Sequence, residues 1–73
     1  MAYDYKRLCL RIIEMVGTQR VFADKMGLSE RSVSLKLNNE VPWKQQEISK
    51  ATEILDISPE MIPTYFFTEK VQY

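Results

Sequence analysis

The sequence predicts an all-α protein, a compact five-helix bundle followed by a short strand or an extended tail. Apolar residues recur at spacings of three and four along most of the chain, as in helices that bury one face. Residues that cap helices stand at the ends of these periodic segments. At 73 residues, the chain is long enough for one domain with a modest core.

The first predicted helix covers residues 5–16. Asp4 can cap its start, and Gly17 suits the left-handed backbone position that often ends a helix. The face expected to be buried consists of Leu8, Ile12 and Met15, with Cys9, Ile13 and Val16 beside them.

Two further helices are predicted at residues 19–26 and 30–38, with only three residues between them. Thr18 and Ser29 can cap their starts, and Gly27 can end the earlier one without a Cβ penalty. The residues expected to be buried in the earlier helix are Val21 or Phe22, Ala23 and Met26.

This tight junction predicts a central helix-turn-helix. Such a crossing needs a small residue where the helices approach and an apolar residue of the later helix that faces the core. Ala23 and Val33 meet these needs, and Gly27 supplies the turn. Leu28 precedes the Ser29 cap and Val33 is the fourth residue after it, so the pair can form a hydrophobic staple.

A fourth helix is predicted at residues 44–55, and a short fifth helix, capped by Ser58, is predicted to start at Pro59 and to end near Tyr65. The loop sequence NNEVP precedes the fourth helix. Pro59 suits the first position of the fifth helix, and Pro63 prevents a longer one. The buried face of the fourth helix is expected to contain Ile48, Ala51 and Leu55.

The chain therefore divides into a helix-turn-helix domain, residues 1–66, and a C-terminal tail, residues 67–73. In the tail, Phe67, Val71 and Tyr73 lie on one side of a two-residue alternation that is typical of a strand. A lone strand is not stable in water. The tail must then pair with the same segment of a second subunit, which is the dimerisation hypothesis, or lie on its own helical body.

Composition excludes several classes of function. The net charge is zero, divided as +1 over residues 1–18, +2 over 19–44 and −3 over 45–73. The basic part thus coincides with the helix-turn-helix. A single Cys9 excludes an internal disulfide, and the lack of His argues against a zinc site, so we expect no metal and no cofactor. No apolar run is long enough for a membrane span, and we expect a place in the bacterial cytoplasm, associated with the nucleoid.

The spacing Q-x-x-x-A-x-x-x-G-x-x-x-x-x-V, from Gln19 to Val33, resembles a known motif. It is similar to that of the lambdoid phage repressors and Cro proteins, and of the wider XRE-type family of small bacterial helix-turn-helix regulators. The run ADKMG, the Ser29 cap and Asn38 at the end of the motif extend the resemblance, and the helix order extends it to residues 5–66. The resemblance implies that the third helix enters the major groove of DNA and that Gln19 hydrogen-bonds a phosphate.

One position departs from that family. The residue three after the Val is apolar in many members, whereas this chain has Lys36. We expect Leu37, one turn after Val33, to take over the anchoring role. Lys36 is then expected to contact the DNA backbone or to lay its stem over the edge of the core.

With Val33 facing the core, a rotation of 100° per residue assigns an outer face to the third helix. Arg31 on this face can bind guanine through two hydrogen bonds, and Leu35 can contact a thymine methyl group. Alternatively, Arg31 and Glu30 form an ordinary solvated pair and Leu35 contacts a protein, while Trp43 packs in the core. The predicted DNA-contacting residues are Gln19, Arg20, Ser29, Glu30, Arg31, Ser34, Leu35, Lys36, Asn38, Asn39 and Lys44.

Two functional hypotheses follow. The first is a sequence-specific transcriptional regulator, a Cro-like phage or prophage repressor that binds a palindromic double-stranded DNA operator as a homodimer. The second is an antirepressor, a protein-interaction module of the same fold that binds another regulator such as an opposing phage repressor. Zero net charge, the acidic last third and an exposed Leu35 favour the second. The sequence has no recognisable catalytic residues, so we do not expect an enzyme.

Overall fold

Five α-helices make up the fold of residues 2–71, as the sequence predicts. The structure, a computed structural model, describes residues 2–71. The helices are α1 (Lys6–Val16), α2 (Gln19–Met26), α3 (Glu30–Leu37), α4 (Gln45–Leu55) and α5 (Ile62–Phe66). Helix α2 packs against α1, α3 and α4, while α1 also contacts α4 and α5. None of these helices is long and apolar enough to cross a membrane.

Helix α1 buries a narrower face than its sequence pattern suggests. Leu8 and Ile12 are almost wholly buried, but Met15 is 41% exposed. At 100° per residue, Met15 falls to one side of the face that Leu8 and Ile12 define, so the bundle covers it only in part. Ahead of the helix, Asp4 accepts a hydrogen bond from the Lys6 N–H at 2.8 Å, although Tyr5 occupies the cap position itself.

The ends of α2 and α3 follow the predicted caps. The Thr18 hydroxyl accepts from the Val21 N–H, and the Ser29 hydroxyl accepts from the Ser32 N–H, each at 3.1 Å. Gly27 ends α2 with φ at 73°, in the left-handed region. The choice left open between two residues of α2 is resolved in favour of Phe22, which is fully buried.

The predicted fifth helix is split in two. A 3-10 turn at Pro59–Met61 precedes α5, which starts only at Ile62. Pro63 has no N–H to donate to the Pro59 carbonyl, so an α-helix cannot run through this segment with its full set of bonds. Phe66 at the end of α5 is nevertheless 1% exposed and joins the core.

The tail lies on the N-terminal segment of its own chain. The Asp4 N–H donates to the Thr68 carbonyl at 2.6 Å, and the Lys70 N–H donates to the Ala2 carbonyl at 3.0 Å. Tyr3 and Glu69 form an isolated antiparallel bridge. The tail thus pairs with residues of its own chain, just ahead of α1. Dimerisation through the tail stays a prediction, and Tyr73 lies outside the described residues.

Candidate recognition surface

The turn between α2 and α3 fixes where α3 emerges from the bundle. Ala23 is 1% exposed where the helices pack, and Val33 is fully buried. Leu28 packs against the core beside them. These apolar contacts hold one side of α3 inward and leave the opposite side at the surface.

The outer face of α3 begins with two exposed ionic side chains, Glu30 and Arg31. Ser34 and Leu35 behind them are half-buried, so Leu35 is less exposed than its place on the helix predicts. The Asn38 amide donates to the Ser34 carbonyl at 2.8 Å. Arg31 is therefore the long, solvated hydrogen-bond donor of this face. Ser34 and Leu35 project less far from the surface.

The flanking residues predicted to contact a DNA backbone differ in availability. Arg20 and Lys44 are exposed, Gln19 at the start of α2 is half-buried, and the Ser29 hydroxyl caps α3. Asn39 has a left-handed backbone, with φ at 65°, and its side chain bonds Tyr3. It accepts from the Tyr3 N–H and donates to the Tyr3 carbonyl, both at 2.8 Å. The Asn39 amide thus holds the N-terminal segment in place.

Lys36 lies inside the protein. It is only 4% exposed, and its Nζ lies 2.9 Å from Oε1 of Glu47 and 3.2 Å from the Pro42 carbonyl oxygen. The Trp43 ring centroid is 5.9 Å from the same Nζ. Lys36 is therefore not available to a DNA phosphate in this conformation. Leu37 was expected to anchor α3 in the core, but the more deeply buried side chain is Lys36. Leu37 packs half-buried against the core.

Glu47 holds this arrangement from the start of α4. Burial by itself would raise the pKa of its carboxyl, but hydrogen bonds from Lys36 and from the Lys44 N–H lower the pKa below its ordinary value. The Lys44 N–H lies 2.9 Å from the same Oε1 atom. The pairing of Glu47 with Lys36 was not predicted. The sequence contains no capping-box signal for Glu47, because the residue three before it is Lys44 and not a Ser, Thr, Asp or Asn.

The surface presents charged, polar and apolar groups. Residues 2–71 contain no cluster of three or more His, Cys, Asp or Glu that could hold a metal ion. Burial, with a smaller effect of Asp4, raises the pKa of the Cys9 thiol, so little thiolate nucleophile forms at neutral pH. Recognition through hydrogen bonds, charge and apolar contact is what the exposed groups can provide.

Comparison with known proteins identifies a family and a structural relative. Residues 1–69 match the family described as a protein of unknown function, DUF739. The chain is also similar to the modulator of repression (MOR) of the temperate bacteriophage TP901-1 from Lactococcus lactis, known from its solution structure. The two are 56% identical, with a TM-score of 0.81, over 99% of this chain and 97% of that one. No protein of curated function matches the chain.

Proposed function

We propose that this chain, which belongs to the DUF739 family, is a phage regulatory protein that acts by binding a second transcriptional regulator. The observation that carries the proposal is its 56% identity, over nearly its whole length, to a protein called a modulator of repression. A modulator of repression acts on an existing repressor, and direct contact with that repressor is the simplest means. The function is regulatory rather than enzymatic, and its place is the bacterial cytoplasm.

The charges of the candidate surface support a protein partner. Affinity for DNA comes largely from cations that neutralise phosphates. In this chain the net charge is zero, Lys36 is withdrawn from the surface and the Asn39 amide is engaged. Arg31 beside half-buried Leu35 instead offers one charged group next to apolar area, a combination that is common in protein interfaces.

The proposal is tested with the repressor encoded in the same phage or prophage genome. Titration calorimetry is expected to show a complex between the two purified proteins. Arg31→Ala is expected to weaken this complex at least tenfold, whereas Arg7→Ala on α1, outside the candidate surface, leaves it unchanged. Absence of any complex between the parent proteins would contradict the proposal.

A second candidate function is direct recognition of DNA. The observation that favours it is the capped start of α3, where exposed Glu30 and Arg31 occupy the part of a recognition helix that contacts bases. As a homodimer on a palindromic operator, the chain would bind guanine through Arg31, which is worth about 1–3 kcal/mol of discrimination. Leu35, Ser34 and Asn38 complete this proposed contact set.

Salt dependence separates the two functions. Binding to DNA from the flanks of the gene, followed by fluorescence anisotropy at two salt concentrations, should fall steeply with salt if phosphates are contacted. If the chain binds the repressor but no such DNA, the protein-binding proposal stands alone. The role of the tail is tested in parallel, because deletion of residues 67–73 should shift a tail-mediated dimer toward monomer in analytical ultracentrifugation.

A further inference from the structure

The contact between α3 and α4 includes a charged side chain. Lys36 extends from α3, and its Nζ meets Oε1 of Glu47 on α4 at 2.9 Å. The exposed fractions of the two side chains are 5% and 15%. Water therefore has little access to either charge.

Three neighbours from two parts of the chain converge on the Lys36 ammonium. Besides Glu47, the Pro42 carbonyl oxygen accepts at 3.2 Å, and the Trp43 ring lies over the charge at 5.9 Å. Pro42 and Trp43 belong to the segment that connects α3 to α4. The ammonium is thus held from the connecting segment and from α4 at the same time.

One oxygen atom joins two structural roles. Oε1 of Glu47 accepts from the Lys44 N–H, which closes the start of α4, and from Lys36 of α3. A rotation or shift of α3 would pull the ammonium off this oxygen and leave two poorly solvated charges apart. An apolar side chain at position 36 would lack this constraint, because dispersion contacts have no comparable directional demand.

We propose that Lys36 and Glu47 are positioning residues, which set the rotation and depth of α3 and hence of its outer face. Arg31 lies on the same short helix, about 7.5 Å along its axis from Lys36, so any rotation at Lys36 is transmitted to it. The pair acts through α3 and does not itself contact a partner. What the outer face binds rests on the proposed function, but the positioning of α3 does not.

The experiment uses the full chain with the double substitution Lys36→Met/Glu47→Gln. Met keeps the length of the Lys stem, and Gln keeps the acceptor that caps α4. The matched control is Lys25→Met/Glu53→Gln, which removes the same charges from exposed positions on α2 and α4. Residual dipolar couplings of backbone amides report the orientation of α3 relative to α4 without any partner.

We expect the double variant to fold and to have a melting temperature near that of the parent. The residual dipolar couplings of its α3 amides should no longer fit the orientation that α3 has in the parent. Its complex with the repressor should be at least tenfold weaker, and the control should behave as the parent does. If the α3 couplings of the double variant fit the parent orientation, the positioning role is overturned.

Two further outcomes keep the inference separate from the proposed function. If the parent binds no repressor while the α3 couplings change, positioning is supported and the proposed function fails. If the double variant does not fold, Lys36→Met alone removes the ammonium while Glu47 keeps its bond to the Lys44 N–H, and its couplings are expected to change in the same direction. Unchanged couplings in a folded Lys36→Met variant would contradict positioning.

Discussion

Helix α3 is held on two sides by contacts of opposite character. Toward α2, fully buried Val33 packs in the apolar core with Ala23. Toward α4, Lys36 meets Glu47 through a charged hydrogen bond. Apolar burial stabilises without specifying direction, whereas a buried ion pair contributes little net stability and restricts geometry. The side facing α2 therefore holds α3 in the fold, and the side facing α4 orients it.

The largest expected effect comes from breaking the apolar side. Val33→Asp places a charge where no water and no partner is available, at a cost of about 4 kcal/mol or more. This is comparable with the whole stability of a domain of this size. Circular dichroism at 222 nm should show an unfolded chain. Val21→Asp is the control, because Val21 is 38% exposed on α2 and should tolerate the charge. A native melt for Val33→Asp would contradict the assigned orientation of α3.

Removal of one partner of the Lys36–Glu47 pair should lower the stability less than Val33→Asp does. Lys36→Met leaves the Glu47 carboxylate poorly solvated without its ammonium, and we expect about 2 kcal/mol lower stability at pH 7. The Lys44 N–H and the remaining exposure of Glu47 limit the loss. Urea unfolding measures it, with exposed Lys25→Met as the control. Equal stability of parent and Lys36→Met would show that the carboxylate does not need Lys36.

Loss of the Ser29 cap at the start of α3 should have a smaller effect on stability than either of these changes. Ser29→Ala removes the acceptor of the Ser32 N–H and should lower stability by about 1 kcal/mol. Ser49→Ala, at an exposed position inside α4, is the matched control and should change stability little. The difference between the two in thermal unfolding tests whether α3 depends on its cap as well as on its two packed sides. No difference would mean that packing alone suffices.

The smallest expected effect is a pH dependence of the stability that the Lys36–Glu47 pair contributes. The folded state lowers the pKa of Glu47 below its ordinary value of 4.5. The ionised carboxylate therefore contributes stability that is fully present above pH 4.5 and is lost as the pH falls through the folded pKa. The stability difference between the parent and Glu47→Gln should be constant from pH 7 to pH 5 and narrow below that range. If this stability difference instead widens as the pH falls, the pKa of Glu47 is raised on folding and not lowered.

Sequence pattern predicted the parts of the fold that depend on neighbouring residues. The bounds of α2, the caps at Thr18 and Ser29, and the left-handed Gly27 are all found as expected. Each of them is decided within about four residues, because a cap or a turn closes hydrogen bonds over that distance. The inward orientation of Val33 was predictable for the same reason, since the helical period and the staple with Leu28 are both local.

Where pattern failed, the deciding contact came from a distant part of the chain. Met15 fits the helical period of α1, but the bundle covers it only in part. The bonds of Asn39 to Tyr3, which precedes it by 36 residues, were not predicted. The outer face of α3 as a binding surface stays a prediction, which the repressor and DNA experiments above test.

The sequence by itself determined five helices, their caps and a tight turn, because these depend on periodicity and on local hydrogen bonds. Only the tertiary structure decided that Lys36 lies inside the protein, because burial of a charge depends on whether an acceptor is brought to it. Glu47 lies eleven positions further on, and it meets Lys36 only when the connecting segment folds α4 back toward α3. Three-dimensional proximity, which no local pattern encodes, thus places Lys36 in an internal ion pair.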